Sequence, residues 1–211
     1  MSGVMIGMPI FRHIETETTL CLLHTLALCR REGVQAHHGY TVGVSVIAVA
    51  RNRIAALFLD SDAEHLFWID ADVVWEAPDF LRLLKLAGRH PIICAAYPTK
   101  TEPPRFQIQA ETLLPDKEGL LTILSMGLGF TCVQRRVIET LAKQARLITA
   151  DDGSKIRRVF HGGVGADLGE DKNFYADAMN AGFPVKLVPD VALGHVGTKV
   201  YRGKLSEVMK R

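Results

Sequence analysis

Phe67-Trp68-Ile69-Asp70-Ala71-Asp72-Val73 is an apolar run that ends in two carboxylates one residue apart. The run reads as a buried strand, and its acidic end as the point where that strand meets solvent. Mg²⁺ and Mn²⁺ prefer oxygen ligands and use few protein groups when a phosphate supplies the rest. Paired aspartates at a strand end therefore suit a cation held against a diphosphate. Turn formation and helix capping are the other uses of aspartate at such a place. A second D-x-D, Asp60-Ser61-Asp62, follows a helical pattern and reads as a solvated helix end.

Outward from this strand, Val44 to Leu59 reads as a long apolar helix that carries Ala50-Arg51-Asn52-Arg53. A guanidinium in such a helix must find a partner or reach solvent. For Arg51 the partner is a phosphate or Asp70, held bidentately, or a salt bridge without further role. Further upstream, Val4 to Met8 is a short strand closed by Pro9, and Val34 to His38 a second one. Between them Glu15 to Arg30 places Leu20, Leu23, His24, Leu26 and Ala27 at helical spacing, with acids early and arginines late as the helix dipole favours. Downstream, Pro78 to Ala87 reads as a helix and Ile92 to Ala96 as a strand. This alternation predicts an α/β fold with an open, mainly parallel sheet covered by helices on both faces. Ligands of such sheets sit at the carboxyl ends of strands, where Pro9, Asp70 and Tyr97 fall.

The C-terminal half is more mixed. Phe106 to Gln109 and Leu121 to Leu124 read as paired strands around Pro115-Asp116-Lys117-Glu118-Gly119, Phe130 to Val133 as another strand, and Arg136 to Ala145 as a helix. Asp151-Asp152-Gly153 reads as a turn joining Leu147-Ile148 to Val159-Phe160, and His161-Gly162-Gly163-Val164-Gly165 as a loop that moves. Glu170 to Ala181 is read as helical and Val185 to Val188 as a last strand.

At 211 residues the chain suits one domain with a core that needs no disulfides. Its net charge of +2 sets up no field that demands nucleic acid, although Arg157-Arg158 and Arg202, Lys204, Lys210 and Arg211 are local basic groups. Cys21, Cys29, Cys94 and Cys132 lack C-x-x-C spacing and read as reduced thiols of a cytoplasmic protein. Thr41 to Leu59 is apolar, but Arg51, Asn52 and Arg53 in its middle argue against a membrane span. No basic stretch followed by a long apolar one opens the chain, so no signal peptide is expected.

Several short motifs stand in a fixed order: Ala50-Arg51-Asn52, Asp70-Ala71-Asp72, Gly127-Leu128-Gly129-Phe130, Gly169-Glu170-Asp171 and Leu193-Gly194-His195. In this order they resemble family 2 of the GT-A glycosyltransferases, and the matches span Met1 to Lys199. The resemblance implies a single GT-A domain over 1–211, with a nucleotide-sugar half at about 1–100, an acceptor-side half at about 101–199 and a basic tail at 200–211. It implies a nucleotide-sugar donor, of the UDP type, and Mn²⁺ or Mg²⁺ between protein and diphosphate.

By the same resemblance Asp72 ligates the metal, Asp70 contacts it through water or holds the donor ribose, and His195 completes the metal site. Pro9, Arg51, Asn52, Ala71 and Lys199 fall on the donor side, with Lys199 placed to neutralise the leaving diphosphate. Tyr97, Lys100 and Gly129 wall the sugar or acceptor pocket. Asp171 is the general base and Glu170 its alternate, which implies inversion at the anomeric carbon; retention stays open, because spacing does not measure the distance from base to sugar. Each assignment has a plainer rival: helix capping for Glu170 and Asp171, a packed or surface histidine for His195, an exposed lysine for Lys199, a rigid turn for Tyr97-Pro98-Thr99-Lys100.

Rival functions are a phosphatase of the haloacid dehalogenase type, with Asp70 as nucleophile, and a noncatalytic sugar-nucleotide binding module. A nucleotidyltransferase is disfavoured because Gly7-Met8-Pro9-Ile10-Phe11-Arg12 lacks a glycine-rich phosphate loop. The acceptor is any partner with a free hydroxyl. Compact GT-A enzymes of this look occur among phage and prophage proteins, some associated with hydroxymethylpyrimidine DNA, so the resemblance makes DNA one candidate acceptor.

Overall fold

The computed structural model describes residues 3–150, 153–162 and 169–209. In chain order the first half forms β1 (Val4–Ile10), α1 (Thr16–Arg31), β2 (Ala36–Val42), α2 (Ile47–Leu59), β3 (His65–Ile69), β4 (Val73–Val74), α3 (Ala77–Ala87) and β5 (Ile92–Cys94). There follow β6 (Ile108–Gln109), β7 (Leu121–Ile123), β8 (Ser125–Met126), β9 (Phe130–Gln134), α4 (Arg135–Gln144), β10 (Leu147–Thr149) and β11 (Lys155–Arg157). The chain closes with α5 (Glu170–Asn180), β12 (Val185–Leu187), β13 (Leu193–Val196), β14 (Val200–Gly203) and α6 (Leu205–Val208).

Seven strands make the central sheet in the order β2-β1-β3-β9-β5-β12-β7. β1 runs parallel to β2 and β3, and β5 parallel to β12. β1 and β3 are buried along their whole length because both of their faces are covered, whereas the edge strand β2 is largely open. Successive side chains go to opposite sides, so Leu66 and Trp68 enter one hydrophobic cluster while Phe67 and Ile69 enter the other. α2, α4 and α5 cover the first face through Ile54, Phe58, Val137, Leu141, Phe174 and Ala178. α1 and α3 cover the second through Leu22, Cys29, Phe80, Leu83 and Leu84. This is the α/β, mainly parallel, Rossmann-like architecture that the alternation predicts, and it is consistent with the GT-A fold that the resemblance implies.

The C-terminal half departs from expectation in its pairings. β9 inserts antiparallel between β3 and β5, which joins the two halves in one sheet. β7 does not pair with the segment ending at Gln109. Leu121 and Ile123 are buried and Thr122 exposed, and the strand lies antiparallel to β12 at the sheet edge. β6 pairs instead with β8, Ile108 opposite Met126. β10 pairs with β11 rather than with Val159-Phe160. Those two residues are core, Phe160 stacking on Phe174 with ring centroids 5.0 Å apart. Asp151 and Asp152 of the expected turn, and residues 163–165 of the expected glycine-rich loop, lie outside the described residues.

The stretch expected as a basic tail is folded up to its described end: β14 pairs with β13, and α6 follows. α1 also turns differently. Leu20 and Leu23 are 50% and 56% exposed, and the helix buries Thr18, Leu22, Thr25 and Cys29. The threonines have work there, since Thr18 Oγ1 donates to the Val73 carbonyl at 2.9 Å and Thr25 Oγ1 accepts from Trp75 Nε1 at 2.8 Å. α1 thereby anchors the segment just after Asp72. The four cysteines are free thiols, three of them buried. Among the described residues no helix is long and apolar enough to cross a membrane.

Candidate active site

The backbone of Asp70-Ala71-Asp72 is tied on three sides. Asp70 N–H donates to Gly129 O at 3.1 Å, Glu15 N–H to Ala71 O at 2.9 Å, and Val196 N–H to Asp72 O at 2.8 Å. β4, just beyond, joins β13 with His195 opposite Val73. The acidic end of β3 is thus held by β9, by the start of α1 and by the small sheet β14-β13-β4. Glycine is required at two places in β9's approach. A Cβ on Gly129 would meet Asp70 Oδ2 at 2.5 Å, and one on Gly127 would meet the Tyr97 hydroxyl at 2.2 Å.

Arg51 organises the charges. Its side chain is 3% exposed; Nη2 donates to Asp70 Oδ1 at 3.0 Å and Nε to Glu170 Oε1 at 3.3 Å. Its guanidinium carbon lies 5.3 Å from the Trp68 ring centre, and among the described residues Nη1 is buried without a hydrogen-bond partner. Burial opposes this charge, but Asp70 and Glu170 outweigh it and hold the guanidinium above its ordinary pKa. Of the partners expected for Arg51, Asp70 is present, but through a single N–H rather than bidentately, and the second contact goes to Glu170, the first residue of α5. Tyr97 Oη lies 3.4 Å from Asp70 Oδ2. Burial, reinforced by the Asp70 charge, pushes the Tyr97 phenol well up, so it stays protonated and donates.

Asp72 has a different environment. Its Oδ2 accepts from Lys100 Nζ at 2.7 Å and lies 3.2 Å from His195 Nε2. Burial raises the cost of its charge, yet His195 and Lys100 more than offset this and hold the carboxyl below the usual range. His195 Nδ1 is 3.0 Å from the Pro98 carbonyl oxygen, which only accepts, so Nδ1 carries the proton when the ring is neutral. The expected trio of Asp70, Asp72 and His195 contracts to a pair: among the described residues no three acidic, histidine or cysteine side chains gather as a metal-holding group. Asp70 is turned to Arg51 and Tyr97, leaving Asp72 and His195 face to face.

Two cavities meet at this point. One, of about 500 Å³, is lined by Pro9, Arg51, Asp70, Ala71, Asp72 and Glu170. Phe11, Arg12, His13, Glu15 and Ile47 also line it, and sequence reasoning missed them. Their signal was position, just past the carboxyl end of β1 and at the start of α2. The other cavity, of about 650 Å³, is lined by Thr99, Gln107, Gln109, Ser125, Met126 and Lys172 among others. Tyr97, Gly127, Asp171 and His195 belong to both walls.

Four expected contacts are redirected. Asn52 lines neither cavity; its amide grips the Phe160 backbone, Nδ2 to the carbonyl at 2.7 Å and Oδ1 from the N–H at 2.8 Å. Lys199 is bonded to Glu102, away from the acidic pair. Lys100 is the lysine beside Asp72, and it walls neither cavity. Gly129 lies beneath Asp70 rather than in a pocket wall. Asp60 and Ser61 of the second D-x-D cap and follow α2, as expected.

No protein-family model matches the chain. No curated protein matches it either. Among solved structures it is similar to A197 from STIV, at 18% identity over 92% of this chain and 85% of that one, with a TM-score of 0.60. The two share a fold. A glycosyltransferase involved in glycosylation of the major capsid of PBCV-1 overlaps 65% of this chain and 62% of its own, at 10% identity and a TM-score of 0.39.

Proposed function

We propose that this chain is a glycosyltransferase that moves a sugar from a nucleotide-diphosphate sugar, of the UDP type, to an acceptor hydroxyl. The observation that carries the proposal is Asp171, a carboxylate on the wall common to two cavities, one of which holds Asp70 and Asp72. In this reading the nucleoside lies along Pro9, Phe11 and Ile47, and Asp70, oriented by Arg51 and Tyr97, accepts a hydrogen bond from the ribose. Asp171 takes the proton of the acceptor hydroxyl as its oxygen bonds to the anomeric carbon. The bond from that carbon to the diphosphate breaks, its electron pair leaves with the nucleotide, and Lys100 offsets the new charge. A single displacement of this kind inverts the anomeric carbon.

Asp72 and His195 fit the divalent cation that the resemblance implies. With its proton on Nδ1, His195 presents the Nε2 lone pair to the Asp72 carboxylate, and two electron-rich groups at this distance need a proton or a cation between them. The contact from the other ring nitrogen to a carbonyl is the usual support of a ligating histidine. Two protein ligands suffice for Mn²⁺ or Mg²⁺ when diphosphate oxygens supply the rest. When bound, the ion stabilises negative charge on the leaving diphosphate.

A phosphatase would need Asp70 as nucleophile, but Oδ1 of that residue is held by a buried guanidinium. A mere binding module would have no use for a carboxylate shared between two cavities. The test is a thermal-shift screen of nucleotide sugars with and without Mn²⁺, since a ligand of the folded state raises its stability. A metal-dependent shift with UDP-sugars is expected. No shift with any nucleotide sugar, or a phosphoenzyme trapped by rapid quench with a labelled phosphomonoester, would overturn the proposal.

A further inference from the structure

The larger cavity has a chemistry of its own. Gln107 and Gln109 stand two residues apart, at and just before β6, so both extend from one face of the segment. They are exposed, while Phe106, Ile108 and Ala110 between and around them pack on the core and hold the segment down. Ser125, from the paired strand β8, donates its hydroxyl to Gln109 Oε1 at 3.3 Å, which leaves the Gln109 amide NH₂ as the free end. Amides and hydroxyls both donate and accept, which is what a polyol requires of its site. Tyr97 and Met126 add an aromatic and an aliphatic surface for carbon-bound faces.

The charges point the same way. Lys172 is the lysine of the lining and stands next to Asp171, so the pair is neutral. A phosphodiester chain would instead ask for several cations along its path. No arginine belongs to the lining: Arg105 is exposed two residues before Gln107, and Arg146 and Arg158 line a separate cavity of about 410 Å³ with His161 and Asp177. Lys155 and Arg157 line another, of about 550 Å³, on the far strand of the β10–β11 hairpin. From this we infer that the cavity of about 650 Å³ is the acceptor subsite and takes a neutral polyhydroxyl compound, a saccharide or glycoside, with Gln107, Gln109 and Ser125 as its recognition groups. The inference rests on the proposed transferase reading, because it is Asp171 on the shared wall that makes this cavity an acceptor site. It also sets a saccharide ahead of DNA, the one candidate acceptor that the resemblance offered.

The test uses defined probes. Methyl glycosides of glucose, galactose, mannose and N-acetylglucosamine, the common disaccharides, and a single-stranded oligonucleotide carrying hydroxymethylcytosine are offered to the protein in the presence of UDP and Mn²⁺. Binding is read by saturation-transfer NMR, and UDP affinity by calorimetry on the same samples. At least one saccharide should bind, and the double variant Gln107→Ala with Gln109→Ala should weaken it about tenfold, the loss expected for two neutral hydrogen-bonding groups. UDP affinity should match the parent's, which shows that the variant is folded. Saccharide binding indifferent to the double variant would overturn the assignment. So would UDP binding without any saccharide, or oligonucleotide binding that depends on the two glutamines. Failure of UDP to bind, with glutamine-dependent saccharide binding intact, would instead strike the donor reading and leave the saccharide site standing.

Discussion

Around Asp70, a guanidinium only 3% exposed is bonded to two carboxylates, one just after β3 and one at the start of α5, that are 25% and 15% exposed. Across the shared wall, Gln107 and Gln109 are open side chains on and beside a strand of two residues. The proposed donor side is built from buried charges that hold one another in place over long sequence distances; the proposed acceptor side is a veneer on a segment anchored from behind. The contrast implies that substitutions on the first wall disturb fold and function together, whereas the second can change specificity while the fold stays intact.

The largest effect is expected at the junction. Asp171→Asn should lower turnover roughly 10²- to 10⁴-fold, the usual contribution of a general base, and should leave nucleotide affinity in place; steady-state kinetics and calorimetry on one preparation check both. Glu170→Gln should lose less turnover but more stability, because Glu170 is the partner of Arg51. If Asp171 merely capped α5, its loss would show as about 0.5–2 kcal/mol of stability with near-normal turnover, and the two walls would not share a base.

Next in size is Arg51→Ala. Breaking a buried ion pair costs about 3–5 kcal/mol, and with Asp70 a quarter exposed the lower end applies, about 3 kcal/mol in urea unfolding. Pairing Arg51→Met with Asp70→Asn and Glu170→Gln should restore part of that loss, since the uncompensated carboxylates are then gone. A fully stable Arg51→Ala protein would dissolve the distinction between the walls. The smallest effect belongs to the other side: Gln109→Ala should change stability by no more than about 0.5 kcal/mol, and a larger loss would make the acceptor wall structural.

Legibility in the sequence follows the same division. β1 and β3 announced themselves because strands covered on both faces are apolar without interruption, and the carboxylates at Asp70 and Asp72 had to fall at an exposed end. The pairing of β6 with β8 and of β7 with β12 was not readable, since segments of two or three residues carry too little pattern to choose a partner. Asn52 looked like a donor contact beside Arg51, but its partner Phe160 is 108 residues away. Lys100 and Lys199 found other partners than expected, Asp72 and Glu102, for a similar reason: an exposed lysine near a carboxylate looks the same in sequence whichever carboxylate it finds. The face of α1 was misjudged because Thr18 and Thr25, polar in composition, are buried with their hydroxyls bonded across to Val73 and Trp75. Phe11, Arg12 and His13 were overlooked because no motif marks them, only their place after β1.

The proposed function turns on Asp72 and His195 binding a divalent cation with a nucleoside diphosphate. The most direct measurement is calorimetry of UDP with the protein and with Asp72→Asn, each in Mn²⁺ and in excess chelator. Chelator should weaken UDP binding to the parent by more than tenfold, each tenfold being about 1.4 kcal/mol, and Asp72→Asn should bind UDP equally weakly in both solutions. Equal affinity of the parent with Mn²⁺ and with chelator would contradict the proposal.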